Sequence, residues 1–245
     1  MKTMRQILYA IVAALILAGA LSAAPLLVLS EPSFDFGVAP QNSSLAHVFW
    51  LYNRGDDTLA IKNVVPGCGC TKAPLEKSVL AAGDSTRLEI IFSTKSYQRR
   101  VSKGPRIETN EASPYTTVSI TADITLRPDS TYPVVIRPYK LDLSQFGDKV
   151  RDRMTFTVTN VSNAPLIPRL VGCPADMLEV TLPGQLEPGA SGEAQVRLKG
   201  DAVGQSFENS ITLQFDGSEP ARFTVPVKRT IKSPGSLSAA GGAAE

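Results

Sequence analysis

Histidine is almost missing: His47 is the only one in 245 residues. Most acid–base and metal mechanisms draw on imidazole, so this scarcity argues against an enzyme. A surplus of either charge is missing too. Two of the 25 basic residues, Lys2 and Arg5, lie in an N-terminal leader, which leaves 23 basic residues against 23 acidic ones in the body. Nucleic acid is therefore not the expected partner, because phosphate binding needs a basic surplus on one face. No segment after the leader has helical periodicity. No Ser/His/Asp arrangement, phosphate-binding glycine loop or His-Glu-x-x-His stretch occurs. No catalytic residue, metal-ligand set or cofactor is read from the chain.

What is present begins with the leader. Lys2 and Arg5 precede an apolar run, Ile7 to Leu17, and small residues follow through Ala24. This is the order of a secretory signal peptide. Ala20-Leu21-Ser22 or Leu21-Ser22-Ala23 could serve for cleavage, and Pro25 opposes a cut after Ala24. The rival reading is an uncleaved anchor, since Ile7 to Leu29 carries no charge and is long enough to span a bilayer. Cleavage is favoured because Leu26 to Leu29 suits a first strand. Either way the positive end stays inside and the body lies outside the cytoplasm. The expected location is periplasmic or extracytoplasmic, with attachment to the inner membrane if the segment is retained.

The body reads as two copies of one unit. Phe49 falls over Phe156, Asn53 over Asn160 and Leu59 over Leu166, each at an offset of 107. Gly83 over Gly189 gives 106, and Gly67-Cys68 over Gly172-Cys173 gives 105. Small drifting gaps at loops are what a tandem duplication leaves. Within each copy the segments alternate with period two. Met154, Phe156 and Val158 oppose Thr155, Thr157 and Thr159. Leu88, Ile90 and Phe92 oppose Arg87, Glu89 and Ile91. Val118 and Ile120 oppose Thr117, Ser119 and Thr121. Such runs between Pro, Gly and Asn turns predict antiparallel sheets packed face to face. The expected organisation is all-β: a leader or anchor over 1–24, a first immunoglobulin-like β-sandwich over 25–127, a second over 128–232, and a disordered tail over 233–245.

One stretch organises the first copy, Phe49 to Thr71: alternating strand, Asn-x-Gly turn, second strand, then a Cys-Gly-Cys loop. Phe34-x-Phe36-Gly37, Phe49-x3-Asn53-x-Gly55, Leu59-x-Ile61, Cys68-Gly69-Cys70-Thr71, Gly83 and Thr109-Asn110 occur in that order. Together they resemble the bacterial domain-of-unknown-function family fifteen seventy-three, over roughly residues 30 to 125. That family is similar to the immunoglobulin-like sandwiches of major sperm protein, Hydin-type domains and two-domain periplasmic pilus chaperones. The resemblance implies a sandwich fold and export, and no molecular function. Copy two departs from the pattern. It has Pro174-Ala175-Asp176 after Gly172-Cys173, and Leu141-x-Leu143 with Phe146-Gly147 shifted downstream.

Cys68 and Cys70 admit several chemistries. A bridge between them needs a tight bend, which Gly69 allows, and would be readily reduced. Two thiolates could instead hold Cu(I). Or both could be small apolar residues in a turn. The oxidising compartment favours a structural bridge. Redox exchange lacks helpers nearby in sequence, since Lys72 is the only adjacent cation. Cys173 is expected to be distant and buried.

A second candidate is the face of Val48, Trp50 and Tyr52. Copy two is threonine-rich on the equivalent face, so these residues predict an outward apolar stripe: an interface, or a surface covered by the neighbouring domain. His47 is expected to be structural. Lys95, Arg99, Arg100, Lys103 and Arg106 read as a solvated hairpin, and Asp56-Asp57 as a turn. The favoured function is a non-enzymatic exported binding or scaffold protein contacting an unidentified envelope protein through sheet faces, edges or loops. The alternative is a thiol–disulfide exchange or copper-handling protein using Cys68 and Cys70.

Overall fold

The computed structural model describes residues 23–147, 149–218 and 220–232. The leader reading rests mainly on residues 1–22 and the tail reading on 233–245; both lie outside the described residues. Among the described residues, no helix is long and apolar enough to cross a membrane. At the border, the Ala24 amide donates to Asp56 Oδ1 at 2.7 Å and the Asp56 amide returns a bond to the Ala24 carbonyl at 3.2 Å. The chain is thus tied to the first domain from Ala24 onward.

The first half holds eleven strands: β1 (Leu27–Leu29), β2 (Ser33–Pro40), β3 (Ser44–Asn53), β4 (Leu59–Val65), β5 (Thr71–Lys72), β6 (Val79–Leu80), β7 (Ser85–Ser93), β8 (Arg99–Lys103), β9 (Arg106–Thr109), β10 (Tyr115–Thr117) and β11 (Ser119–Thr125). One sheet runs β1-β3-β7-β5. Facing it are a short sheet, β10-β9-β4-β6, and the run β2-β11-β8 of a larger sheet. β7 alternates buried and half-exposed along its whole length, as its period-two pattern requires. Phe36, Phe49, Phe92, Leu88 and Ile90 meet in the first core. Each such side chain contributes about 1.5–3 kcal/mol by leaving water.

The second half repeats the plan with β12 (Val134–Arg137), β13 (Leu141–Asp142), β14 (Gln145–Phe146), β15 (Arg153–Asn160), β16 (Ile167–Gly172), β17 (Leu178–Thr181), β18 (Ser191–Leu198), β19 (Phe207–Asp216), β20 (Ala221–Arg229) and β21 (Ile231–Lys232). β12-β15-β18-β17 form one sheet, and β13, β20, β19 and β16 join the larger one. Phe156, Val158, Phe215, Phe223 and Leu213 meet in a second, separate core. A single turn of 3-10 helix, Gly200–Gly204, interrupts the strands. The described residues are all-β apart from that turn and build two β-sandwiches.

Strand register carries the duplication further than residue types do. Leu27 pairs with Asn53, and Val134 with Asn160. Phe34 pairs in parallel with Ile120, and Leu141 in parallel with Val227. Every residue moves by the same 107 positions. A local side-chain contact is repeated as well: the Gly37 amide donates to Asp35 Oδ1 and the Ser144 amide to Asp142 Oδ1. Leu141 and Leu143 occupy the core places of Phe34 and Phe36, whereas Phe146 is 69% exposed and takes no part in the core.

The basic stretch differs from the expected hairpin. Arg99–Lys103 is itself a strand, β8, paired along β11. Arg100 bonds Asp123 and Asp35, which neutralises charge the sequence left unassigned.

The two sandwiches share the larger sheet. Its order is β16-β19-β20-β2-β11-β8, and the domains join where Val38 pairs in parallel with Phe223. Gly37 is what permits this approach. Its φ is +63°, and a Cβ there would lie 2.1 Å from the Arg222 carbonyl oxygen. Thr224 Oγ1 donates to the Phe36 carbonyl at 2.6 Å, and Arg222 Nη1 to the Asp35 carbonyl at 3.2 Å. Lys140 Nζ donates to the carbonyls of Gln41 and Asn42.

Candidate functional site

β3 sets the first candidate. Its inward positions, Leu45, Phe49 and Leu51, are buried, so Ala46, Val48, Trp50 and Tyr52 point the other way. Opposite them on β7 stand Arg87, paired with Trp50, and Glu89, paired with Val48. Domain two closes over one end of this face. The Ala46 amide donates to Ser210 Oγ at 2.9 Å, and Asn209 Nδ2 donates to Glu89 Oε1 at 3.3 Å. Cover then falls away along the strand: Ala46 is buried, Val48 half-buried, and Trp50 is 41% exposed. Tyr52, further out, is half-buried with the Arg54 guanidinium 4.9 Å from its ring centre.

Between the face and domain two lies a cleft of about 310 Å³, walled by Val48, Trp50, Arg87 and Glu89 on one side and by residues 171–176 on the other. Arg87 Nη1 donates to Asp176 Oδ2 at 2.9 Å across it. Both partners are substantially exposed, so the pair holds the rim and contributes only about 0–1 kcal/mol. Burial pushes Asp176 up, but the Arg87 hydrogen bond, backbone amides and the Arg87 charge outweigh it and hold the carboxyl low. Burial raises Glu89 against the pull of Arg87 and Asn209. Cys173 lies in the wall, and burial pushes its thiol up to about 11.

His47 also lines the cleft. Its ring stacks on Phe34 at 3.5 Å, and Nε2 lies 2.8 Å from Glu31 Oε1. Burial lowers its proton affinity although Glu31 works in the opposite direction.

The cysteine loop lies apart, at the entry to β5. Cys68 and Cys70 form a disulfide with their Cα atoms 5.2 Å apart. Both residues are half-buried and Gly69 is exposed. The Cys70 carbonyl accepts from the Ser93 amide at 2.8 Å, which fixes the loop to β7. Thr71 Oγ1 lies 3.3 Å from Cys68 Sγ and 3.8 Å from Cys70 Sγ. The bridge closes only three residues, so chain entropy assigns it about 1.6 kcal/mol, against about 4.7 for a hundred-residue loop. Cys70 and Gly69 also border a broader cleft of about 590 Å³ that includes Lys72, Lys95 and Phe207.

Two residues beside the bridge were not linked to it by the sequence, where Lys103 read only as part of the basic stretch. Tyr97 is set by a turn in which its amide bonds the Thr94 carbonyl, and its ring packs 5.6 Å from Phe92. Its hydroxyl donates to Cys70 Sγ at 3.4 Å. Lys103, the last residue of β8, donates to that hydroxyl at 3.2 Å. They stand 27 and 33 positions from Cys70, and only the pairing of β8 with β11 brings Lys103 there. The two candidate sites are not brought together: the bridge and the Val48–Trp50–Tyr52 stripe border different clefts.

Solved structures that this chain is similar to include a protein of unknown function from Porphyromonas gingivalis W83, 14% identical, with 82% of this chain and 99% of that one covered at a TM-score of 0.33. The Escherichia coli chaperone DraB is 12% identical, with 82% and 97% covered at 0.31. The VesB protease of Vibrio cholerae is 16% identical over 40% of this chain, which spans only 31% of that protein, at 0.35. Among curated proteins, none matches the sequence. The first domain, over residues 27–124, matches the family described as Protein of unknown function (DUF1573), and its Phe-x-Phe-Gly, Asn-x-Gly and Cys-Gly-Cys-Thr stretches place the resemblance there.

Proposed function

We propose that this is an exported, non-enzymatic binding or scaffold protein that works through protein–protein contacts in the cell envelope. Its place is periplasmic or otherwise extracytoplasmic, and the fate of its N-terminal segment decides whether it is held to the inner membrane. One observation carries the reading. Two sandwiches joined through one sheet leave Val48 and Trp50 along the cleft between them, with Tyr52 continuing the apolar stripe beyond it. Aromatic anchors at the rim of a preformed groove are what protein interfaces use. The ion pair and the half-buried Glu89 carboxylate flanking the stripe would orient a partner more than hold it.

Trp50 is the only tryptophan and therefore its own reporter. A photo-crosslinking residue at position 52 should capture an envelope protein, and that protein, once purified, should shift Trp50 emission to shorter wavelength on binding. Trp50→Ser should then weaken binding by about thirtyfold, the scale of an aromatic hot spot, while the thermal midpoint stays put. Undiminished binding by Trp50→Ser would remove the stripe from the account. Unfolding of Trp50→Ser would make the side chain structural. The alternative of thiol–disulfide or copper handling uses the other site, and Cu(I) coordination by Cys68 and Cys70 would first require the bridge to be reduced.

A further inference from the structure

The surroundings of the Cys68–Cys70 bridge are unequal at its two sulfurs. Cys70 packs against the first core, and its sulfur accepts the Tyr97 hydroxyl at 3.4 Å, with the Lys103 ammonium 3.2 Å behind that oxygen. Lys103 also lies 4.6 Å from the Tyr97 ring centre, so its charge is held against the tyrosine by two contacts. Cys68 has the Thr71 hydroxyl at 3.3 Å and no comparable charged chain among the described residues. Gly69, between the two cysteines, is open: a Cβ there would meet nothing within 4 Å, and the adjoining cleft is bordered by Cys70.

We propose that this is a polarised disulfide, built to be opened by an external thiol at Cys68 with Cys70 as the leaving group. A thiolate from a cysteine pair on an extracytoplasmic polypeptide attacks Cys68 Sγ. The new sulfur–sulfur bond joins the polypeptide to Cys68, the Cys68–Cys70 bond breaks, and its electron pair stays on Cys70 Sγ. The Tyr97 hydroxyl hydrogen-bonds the thiolate so formed, and Lys103 polarises that hydroxyl. The second thiolate of the pair then attacks its own polypeptide's sulfur in the mixed disulfide and releases Cys68. The polypeptide loses two electrons and the protein gains two. The balance needs no further reagent.

Physical chemistry favours this direction. Exchange is faster when the leaving thiolate is stabilised. A phenol is a stronger hydrogen-bond donor than an alcohol, and the Lys103 ammonium polarises it further, so the Lys103–Tyr97 chain at Cys70 outweighs the Thr71 hydroxyl at Cys68. A three-residue loop also gives the bridge little structural purpose, because the unfolded chain loses so little freedom by it. Tyr97 touches a reacting atom, and Lys103 is a positioning residue that acts through it. The inference goes beyond the binding role and does not use Trp50, so either can fail alone.

The test uses the oxidised protein and reduced glutathione. Mixed disulfides are quenched with acid at early times and mapped by mass spectrometry. Glutathione should sit on Cys68 in about tenfold excess over Cys70, the ratio expected from about 1.4 kcal/mol between the two leaving groups. Tyr97→Phe should slow adduct formation by a similar factor and level the ratio. Lys103→Met should do the same and Lys103→Arg should restore it, which a merely structural lysine would not do. If Tyr97→Phe does not fold, the Lys103 pair carries the test. Equal adducts, an excess on Cys70 (attack from the cleft side), no adduct, or an unchanged ratio in Lys103→Met would each overturn the proposal.

Discussion

Cys173 shows how position sets chemistry at single residues. Burial raises its thiol from 9.0 to about 11, with the Asp176 carboxylate acting the same way. A rise of that size leaves about a hundredfold less thiolate at neutral pH. Native protein without reductant should therefore alkylate very slowly at this one thiol, while the unfolded chain labels at one site before reduction and three after it. Three labels on the unreduced, unfolded chain would contradict the Cys68–Cys70 pairing.

His47 gives the pH dependence. Its neutral ring is favoured in the fold, because burial outweighs the opposing hydrogen bond and charge of Glu31, and Arg222 lowers it further. As pH falls below 6.5 the unfolded chain takes up the proton first, so folding loses stability in that direction. Urea unfolding should show wild-type stability dropping from about pH 7 to about pH 5, with a smaller drop in His47→Leu. An equal drop in both proteins would remove His47 from the effect.

At the scale of elements, the ends of β3 and β15 are held by the same device. Asn53 and Asn160 are both fully buried. Asn53 Nδ2 donates to the carbonyls of Asp57, Leu80 and Ala81, and its Oδ1 accepts from the Gly55 amide. Asn160 Nδ2 donates to Ala164 and Leu186, and its Oδ1 accepts from the Ser162 amide. Removing either side chain strands several buried backbone groups. Asn53→Ala and Asn160→Ala should each cost about 3 kcal/mol in urea unfolding, and the two losses should add because the sites are in separate domains. A loss below about 1 kcal/mol would show that water reaches these carbonyls.

The same elements show what was legible in the residues alone. The repeat offset and the period-two faces found β3, β7 and β15 with the right sides inward, because a half-buried strand writes its burial into the sequence. The Cys70–Tyr97–Lys103 chain was not legible, since it depends on where a loop and a strand end meet in space. β8 was misread as a solvated hairpin for a related reason. Its burial is too slight to leave an apolar alternation, and its charges find partners on β2 and β11.

At the scale of the whole molecule, the join between domains is what turns two sandwiches into a cleft. It too was silent in the sequence, where Gly37 read only as the end of the Phe-x-Phe-Gly stretch. The reason for a glycine there is the Arg222 backbone, 185 residues away. Edge-to-edge pairing of Val38 with Phe223, the Ala46–Ser210 bonds and the Arg87–Asp176 rim pair all span the two cores. Any side chain at position 37 would drive β2 away from β20 and open the groove that Trp50 borders.

Calorimetry tests this coupling most directly. Residues 23–232 should unfold on heating in one transition whose calorimetric and van't Hoff enthalpies agree, and Gly37→Val should split it into two, one for each sandwich. Two independent transitions in the unaltered protein, or a single one that Gly37→Val leaves intact, would contradict a shared sheet that makes the two domains one body.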